Sequence, residues 1–370
     1  MKILYTESSN GWGGQEIRIL KEALGLKERG HECVFATQKD GKLSSQAKKA
    51  GFLVYDLKFN KIHALPTFFA LRKIIRTNKI NTISTHSSLD AWLGGFAGRL
   101  CGIRVVRTRH LSTPIRKGIN STLLYNFLAD FVVTTSSGII PMICQQAKIP
   151  ETHCLSVPTG VDPFNVSPEE ALSFRHSLGI KQTDCLIGTV CVVRSWKGIK
   201  DLMQAANILR NYPNLKWVIV GGGYLDQYQD FIDLKGVLTF TGHLDNPLAA
   251  IAALDVFLLL STANEGVSQA SLQAAYLERP LITTSIGGLP EVCLDGKTGL
   301  IVPPFSPDKV AESVLKLVNN PRLRRQFGIA GKELVEKKFT FKQTLDHMEK
   351  IYDPRASSHR KVWIRQKTSC

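Results

Sequence analysis

Short apolar runs alternate with stretches of helical period along this chain. In the first half the runs fall at residues 3–6, 33–37, 53–57, 82–86, 105–108 and 131–136. In the second they fall at 185–193, 217–220, 238–241, 256–260, 281–284 and 300–302. A run such as Val256-Phe257-Leu258-Leu259-Leu260 has no polar alternation, which predicts a strand buried on both faces of a parallel sheet. Between the runs, segments such as 16–29, or Ile199, Leu202, Ala205, Ala206 and Leu209, repeat at helical spacing. The pattern predicts an α/β chain of two Rossmann-like, doubly wound domains facing a cleft. Pro158, Gly160, Pro163 and Pro168 interrupt it, so the first domain is expected over 1–162 and the second over 163–339. A last helix is expected over 340–353, with Thr340 as cap and Phe341, Leu345, Met348 and Tyr352 as its apolar face. Residues 354–370 read as a polar, basic tail.

Doubly wound sheets bind ligands beyond the carboxyl ends of their strands. The run at 256–260 leads into Glu265-Gly266-Val267-Ser268-Gln269-Ala270-Ser271-Leu272-Gln273. A carboxylate followed by small residues, with a helix beginning near Val267, suits a sugar and a phosphate together. Glu265 could equally do no more than complement that helix dipole. The run at 185–193 leads into Val193-Arg194-Ser195-Trp196-Lys197-Gly198. There Arg194 offers a forked donor and Lys197 a point charge, a pair suited to a diphosphate; the alternative is a solvated basic loop.

In the first half, Gly11, Gly13 and Gly14 follow the first strand and precede a helix, so backbone can approach a ligand closely there. Trp12 among them can stack on a sugar or pack against the loop. His86 and His110 end strand-like runs, as hydrogen-bonding groups or proton carriers. Asp90 is either a partner for acceptor hydroxyls or a helix cap, and Asp130 reads as structural.

These segments together resemble the retaining glycosyltransferases of family four, which have the GT-B fold. Besides the Glu265 stretch and Arg194 with Lys197-Gly198, the resemblance rests on Gly13-Gly14-Gln15-Glu16, on Pro158-Thr159-Gly160-Val161-Asp162 with Thr in place of the family's Asn, and on Gly221-Gly222-Gly223 after a strand. It implies a nucleoside-diphosphate sugar as co-substrate, bound by Gly13, Gly14, Arg194, Lys197, His243, Glu265, Gly266, Val267, Ser268 and Gln273. Catalysis would fall to Glu265, Arg194, Lys197 and His110, with His110 contacting the donor sugar. Trp12, His86 and Asp90 would serve the acceptor, and the last helix would cross back to the first domain. Gln273 departs from the family, which carries a second Glu there for the nucleotide ribose; an amide still offers hydrogen bonds to two hydroxyls. No Asp-x-Asp pair occurs, so no metal cofactor is expected and cationic side chains take its place. Residues 85–90 and 107–112 resemble bacterial envelope-glycan members, which points to a glycan or glycolipid acceptor of the lipopolysaccharide type. A nucleotide-sugar epimerase of the same fold, a dinucleotide oxidoreductase and a non-catalytic anion-binding module remain as alternatives.

Composition adds three points. With 44% hydrophobic residues, mean hydropathy −0.03, no run long enough to span a membrane and a polar turn directly after the first strand, the chain reads as a soluble protein of the cytoplasm. Its eight cysteines lack metal-like spacing and read as buried free thiols. The balance of 47 basic against 31 acidic residues, formally +16, calls for an anionic partner. Nucleic acid is not expected, because no helix-turn-helix, zinc-finger or aromatic RNA-binding pattern accompanies the charge. The clusters Arg104, Arg107, Arg109, Arg116, Lys117 and Arg355, Arg360, Lys361, Arg365, Lys367 suit a phosphate-bearing surface such as the inner face of the cytoplasmic membrane at least as well; the alternative is a solvated face.

Overall fold

The structure is a computed structural model that describes residues 1–110, 113–224, 227–228 and 234–356. The chain divides into two compact units: Met1–Pro158 with the segment from Lys342 onward, and Thr159–Phe341.

The first unit holds seven strands: β1 (Lys2–Glu7), β2 (Glu32–Gln38), β3 (Leu53–Leu57), β4 (Thr82–Thr85), β5 (Arg104–Arg109), β6 (Phe131–Thr134) and β7 (Cys154–Ser156). They pair in parallel in the order β3-β2-β1-β4-β5-β6-β7, so the strand order reverses between β1 and β4. The sequence pattern misses β7, a three-residue strand whose backbone extends the sheet beside β6 although its side chains form no apolar run. The helix Gly14–Glu28 starts where the carboxylate of Glu16 reaches back to the Gly13 N–H at 2.9 Å. Its Ile19, Ala23 and Leu26 are fully buried.

The closing helix, Phe341–Tyr352, packs within the first unit from Lys342 onward and buries Leu345, Met348, Ile351 and Tyr352. Its outer side is tied by Asp346 to Arg29 at 2.8 Å and by Glu349 to His31 Nε2 at 2.7 Å.

The second unit has six parallel strands: β8 (Cys185–Val190), β9 (Leu215–Val220), β10 (Leu238–Gly242), β11 (Val256–Leu259), β12 (Leu281–Thr284) and β13 (Gly299–Val302). Their order is β10-β9-β8-β11-β12-β13, with the reversal between β8 and β11. Alternate residues feed two separate cores: Ile187, Trp217, Ile219, Val256 and Leu258 on one, Leu186, Val218, Phe257 and Leu259 on the other. A strand with a core on each side has no solvent face, which is why these runs carry no polar alternation. Where the chain enters and leaves this unit, Val161 bridges Thr340, and the Phe341 N–H donates to the Val161 carbonyl at 3.0 Å.

The basic cluster read as a surface is mostly interior. β5 lies between β4 and β6, so Arg104 and Arg107 are only 7% and 5% exposed. Arg104 donates to the carbonyls of Ile351 and Ala356, and Arg109 to the Tyr125 hydroxyl at 3.0 Å. Arg116 and Lys117 are exposed, and Arg355 pairs with Asp353 at 2.9 Å. Arg360, Lys361, Arg365 and Lys367 lie outside the described residues, as do Leu111 and Ser112 of the 107–112 segment. Seven cysteines are free thiols among the described residues; burial pushes Cys33 and Cys185 up to about 12 and Cys191 up to about 11, which leaves them inert. Among the described residues no helix is long and apolar enough to cross a membrane.

Candidate active site

At a reversal of strand order, the loops that follow two neighbouring strands diverge to opposite faces and leave a crevice. In the second unit those loops are 191–198 after β8 and 260–268 after β11. Lys197 Nζ lies 2.6 Å from Glu265 Oε2, and the Ser261 hydroxyl donates to the same oxygen at 2.6 Å. Glu265 is 7% exposed, so its charge is met by an adjacent cation and a hydroxyl rather than by water.

Backbone geometry fixes this arrangement from two sides. Gly198 has φ +68°, and a Cβ there would come within 2.0 Å of the Leu260 carbonyl oxygen. Only glycine lets the Lys197 turn lie this close to the end of β11, where the Thr262 N–H donates to the Trp196 carbonyl at 2.8 Å. Gly287, at φ +59°, lies directly against the Glu265 carbonyl, which accepts from the Gly288 N–H at 3.2 Å. Ser268 caps the helix Gln269–Tyr276 by accepting from the Ser271 N–H. The helix therefore begins two residues later than the sequence pattern suggests, because the Ser268 side chain satisfies its first turn.

The other predicted residues of this unit take varied positions. Arg194 is half-buried, with its guanidinium over the Tyr224 ring at 5.0 Å. Gly266 and Ser268 are half-buried and Val267 is buried, all on the loop that carries Glu265. Gln273 is half-buried one turn into the helix. His243 follows β10, two strands away from β8, and is exposed with Nε2 3.4 Å from Asp245. The turn at Gly221–Gly223 joins both neighbouring loops: the Gly221 N–H donates to the Gly242 carbonyl at 2.9 Å, and Gly223 bridges Val193.

The first unit gathers a second cluster at its own reversal, after β1 and β4. Asp90 is fully buried and accepts from the His86 N–H at 2.8 Å, the Thr6 hydroxyl at 3.0 Å and the Ser8 hydroxyl at 3.2 Å. Its oxygens serve protein donors rather than standing free for an acceptor. His86 Nδ1 lies 2.9 Å from His110 Nε2, and His86 Nε2 lies 3.1 Å from Ser84 Oγ. Desolvation, with the positive charge of Arg107 and Arg18 nearby, holds both histidines well below their usual range, so both rings are neutral at pH 7. Trp12 is partly exposed, and Gly13 and Gly14 open the first helix.

Sequence reasoning missed Glu7, Gln15 and Ser87. Glu7 is 1% exposed, accepts from Ser87, Gln15 and the Ser9 N–H, and is pushed up to about 7 by burial and by Asp90. Its position as last residue of β1 was the available signal. It missed Ser261 as well, which sits one residue beyond the run at 256–260.

Both halves match models of known families: "Glycosyltransferase Family 4" over residues 12–163 and "Glycosyl transferases group 1" over residues 172–334. Two parallel-sheet units with these strand orders match the fold of GT-B glycosyltransferase structures. The chain belongs to this glycosyltransferase family and is an enzyme of that kind. An uncharacterized glycosyltransferase of Methanocaldococcus jannaschii is 22% identical over 311 residues, covering 82% of this chain and 71% of that protein. The capsular polysaccharide biosynthesis glycosyltransferase CapM of Staphylococcus aureus is 29% identical over 175 residues, 45% of this chain and 46% of CapM. The crystal structure of Anabaena HepE in complex with UDP shares the fold with a TM-score of 0.84 at 18% identity, covering 94% of this chain and 98% of HepE.

Proposed function

We propose that this enzyme moves a sugar from a nucleoside-diphosphate sugar to a glycan or glycolipid acceptor of the cell envelope, with retention of configuration and without a metal ion. The observation that carries the reading is the pairing of the buried Glu265 with the half-buried Lys197 at the β8/β11 reversal, Lys197 lying three residues along its loop from Arg194. The UDP complex of HepE supports a nucleotide donor, and the capsular role in the name of CapM supports an envelope product. The second unit takes the donor and the first the acceptor. The enzyme works in the cytoplasm, at the inner face of the membrane.

In this reading Arg194, Lys197 and the N-terminal end of the helix Gln269–Tyr276 neutralise the diphosphate, so that charge developing on the leaving group meets donors already in place. Glu265 accepts from sugar hydroxyls, with Gly266, Val267 and Ser268 lining the same loop and His243 near the base. Gln273 hydrogen-bonds the ribose. The acceptor oxygen forms its bond to the anomeric carbon as the bond to the diphosphate breaks on the same face, and its proton passes to the departing phosphate oxygen. His110, neutral at pH 7, serves the sugar as a hydrogen-bonding group, while Trp12, Gly13 and Gly14 border the substrates. His86 serves the acceptor, and Asp90 acts by holding the His86 backbone.

The deciding experiment measures UDP binding and turnover of Arg194→Ala together. Each charged hydrogen bond lost costs about 1.5–3 kcal/mol, so UDP affinity and turnover both fall by roughly one to two orders of magnitude. Unchanged UDP affinity refutes the diphosphate assignment. Turnover survives chelator if cations alone neutralise the phosphates; a metal-reversible loss with EDTA refutes that part. Product formed from donor without acceptor points to the epimerase instead.

A further inference from the structure

A protein that works on membrane-linked glycans needs a face that meets the lipid, and burial of Arg104 and Arg107 removes two of the five residues of the first candidate. We propose that the exposed side of the helix Ala64–Thr77, with the loop before it, is a docking face for a bilayer carrying anionic lipid. The choice of a bilayer rests on the envelope-glycan reading above; the location of the face rests on this helix alone.

Charge is the first observation. No Asp or Glu occurs between Asp56 and Asp90, while Lys58, Lys61, Arg72, Lys73, Arg76 and Lys79 fall inside that interval. Of these, Lys58, Lys61, Lys73, Arg76 and Lys79 are exposed, and Arg72 lies over the Phe68 ring at 5.8 Å.

Apolar exposure on the same side is the second. The helix buries Thr67, Leu71, Ile74 and Ile75 against its own unit, yet Leu65 remains 66% and Phe69 54% exposed, and Ile62 just before the helix 89%. At about 100° per residue, Leu65, Phe69, Lys73 and Arg76 fall within an arc of roughly 80°. Large apolar side chains standing in water and ringed by cations match the lipid interface: the apolar groups enter the acyl boundary while the cations stay among anionic headgroups. A nucleic-acid face would have the charges without exposed aliphatic side chains to bury, and a net charge of +16 opposes pairing with a second copy.

Sedimentation of the full chain with vesicles tests this. The parent protein co-sediments with phosphatidylglycerol–phosphatidylcholine vesicles, is released by high salt, and binds pure phosphatidylcholine weakly. Leu65→Asp/Phe69→Asp and Lys73→Glu/Arg76→Glu each lower the partition coefficient by roughly tenfold or more, since one basic residue contributes about fivefold. All four side chains are exposed or partly so, and an unchanged UDP-induced thermal shift shows that the variants fold. Parent-like partitioning of both double variants overturns the proposal, as does equal binding to uncharged vesicles. Tighter binding to an RNA oligonucleotide, lost in the same variants, overturns it in favour of nucleic acid. UDP binding by the parent protein reports separately on the donor assignment.

Discussion

Lys197 and Glu265 are 68 positions apart in sequence, yet Nζ and Oε2 stand 2.6 Å from one another with the Ser261 hydroxyl on the same oxygen. Breaking such a pair leaves an uncompensated buried charge, which costs about 3–5 kcal/mol. Lys197→Met therefore destabilises the protein by more than Glu265→Gln does, and the double variant recovers most of the loss. A double-mutant cycle by urea denaturation measures this coupling; additive effects would mean that the two side chains stabilise independently.

Glu265→Ala separates the sugar from the nucleotide. If the carboxylate serves sugar hydroxyls, turnover collapses while bare UDP still binds within a few-fold of the parent affinity. A carboxylate that only complements the helix dipole contributes about 0.3–1 kcal/mol of stability, and its removal would leave turnover near normal. Steady-state kinetics beside calorimetric UDP titration distinguish the two.

Gln273 occupies the position where the resembled family has a carboxylate. If Gln273 reads the ribose, Gln273→Glu preserves or improves donor affinity, whereas Gln273→Leu strands ribose hydroxyls at a cost of about 1–3 kcal/mol. Comparing UDP with its deoxyribose counterpart is the check: equal affinities in the parent protein would show that the ribose is read elsewhere.

Glu7 supplies a pH test. Its carboxyl is raised to about 7, so its contribution to stability is fully present below the ordinary carboxyl range and is lost as pH rises through about 7. His86 and His110 are depressed and act with the opposite sign below their usual range, so the wild-type profile alone mixes the effects. The difference in stability between wild type and Glu7→Gln isolates Glu7: it moves against the wild type as pH goes from about 4.5 to 8. A flat difference would mean that Glu7 is ionised throughout.

Tyr352 carries the closing helix into the first unit. Its hydroxyl donates to Glu22 at 2.7 Å and lies 2.8 Å from Ser84 Oγ, which in turn approaches His86. Tyr352→Phe leaves Glu22 with the Tyr5 hydroxyl and the Arg18 guanidinium at 3.9 Å but without this donor, and lowers stability by about 1–3 kcal/mol in urea denaturation. No change would mean that Tyr5 and the Arg18 guanidinium satisfy the buried Glu22 without the Tyr352 hydroxyl.

The continuous run at 256–260 and its counterparts were legible in the sequence because a strand with a core on each side has no polar positions to hide it. The turns at Arg194–Gly198 and Glu265–Ser268 were legible because they follow such runs directly. Strand order was not: that β8 lies beside β11, and so joins Lys197 to Glu265, depends on which strands pair, and pairing leaves no mark on either segment alone. For the same reason the arginines of β5 read as a surface patch until the sheet enclosed them, and Glu7, one residue beyond the run at 3–6, carried no signal of its environment until Asp90 was folded against it. Local pattern determined the elements and their loops; burial and electrostatic environment are sums over neighbours distant in sequence, and only the tertiary structure decided them.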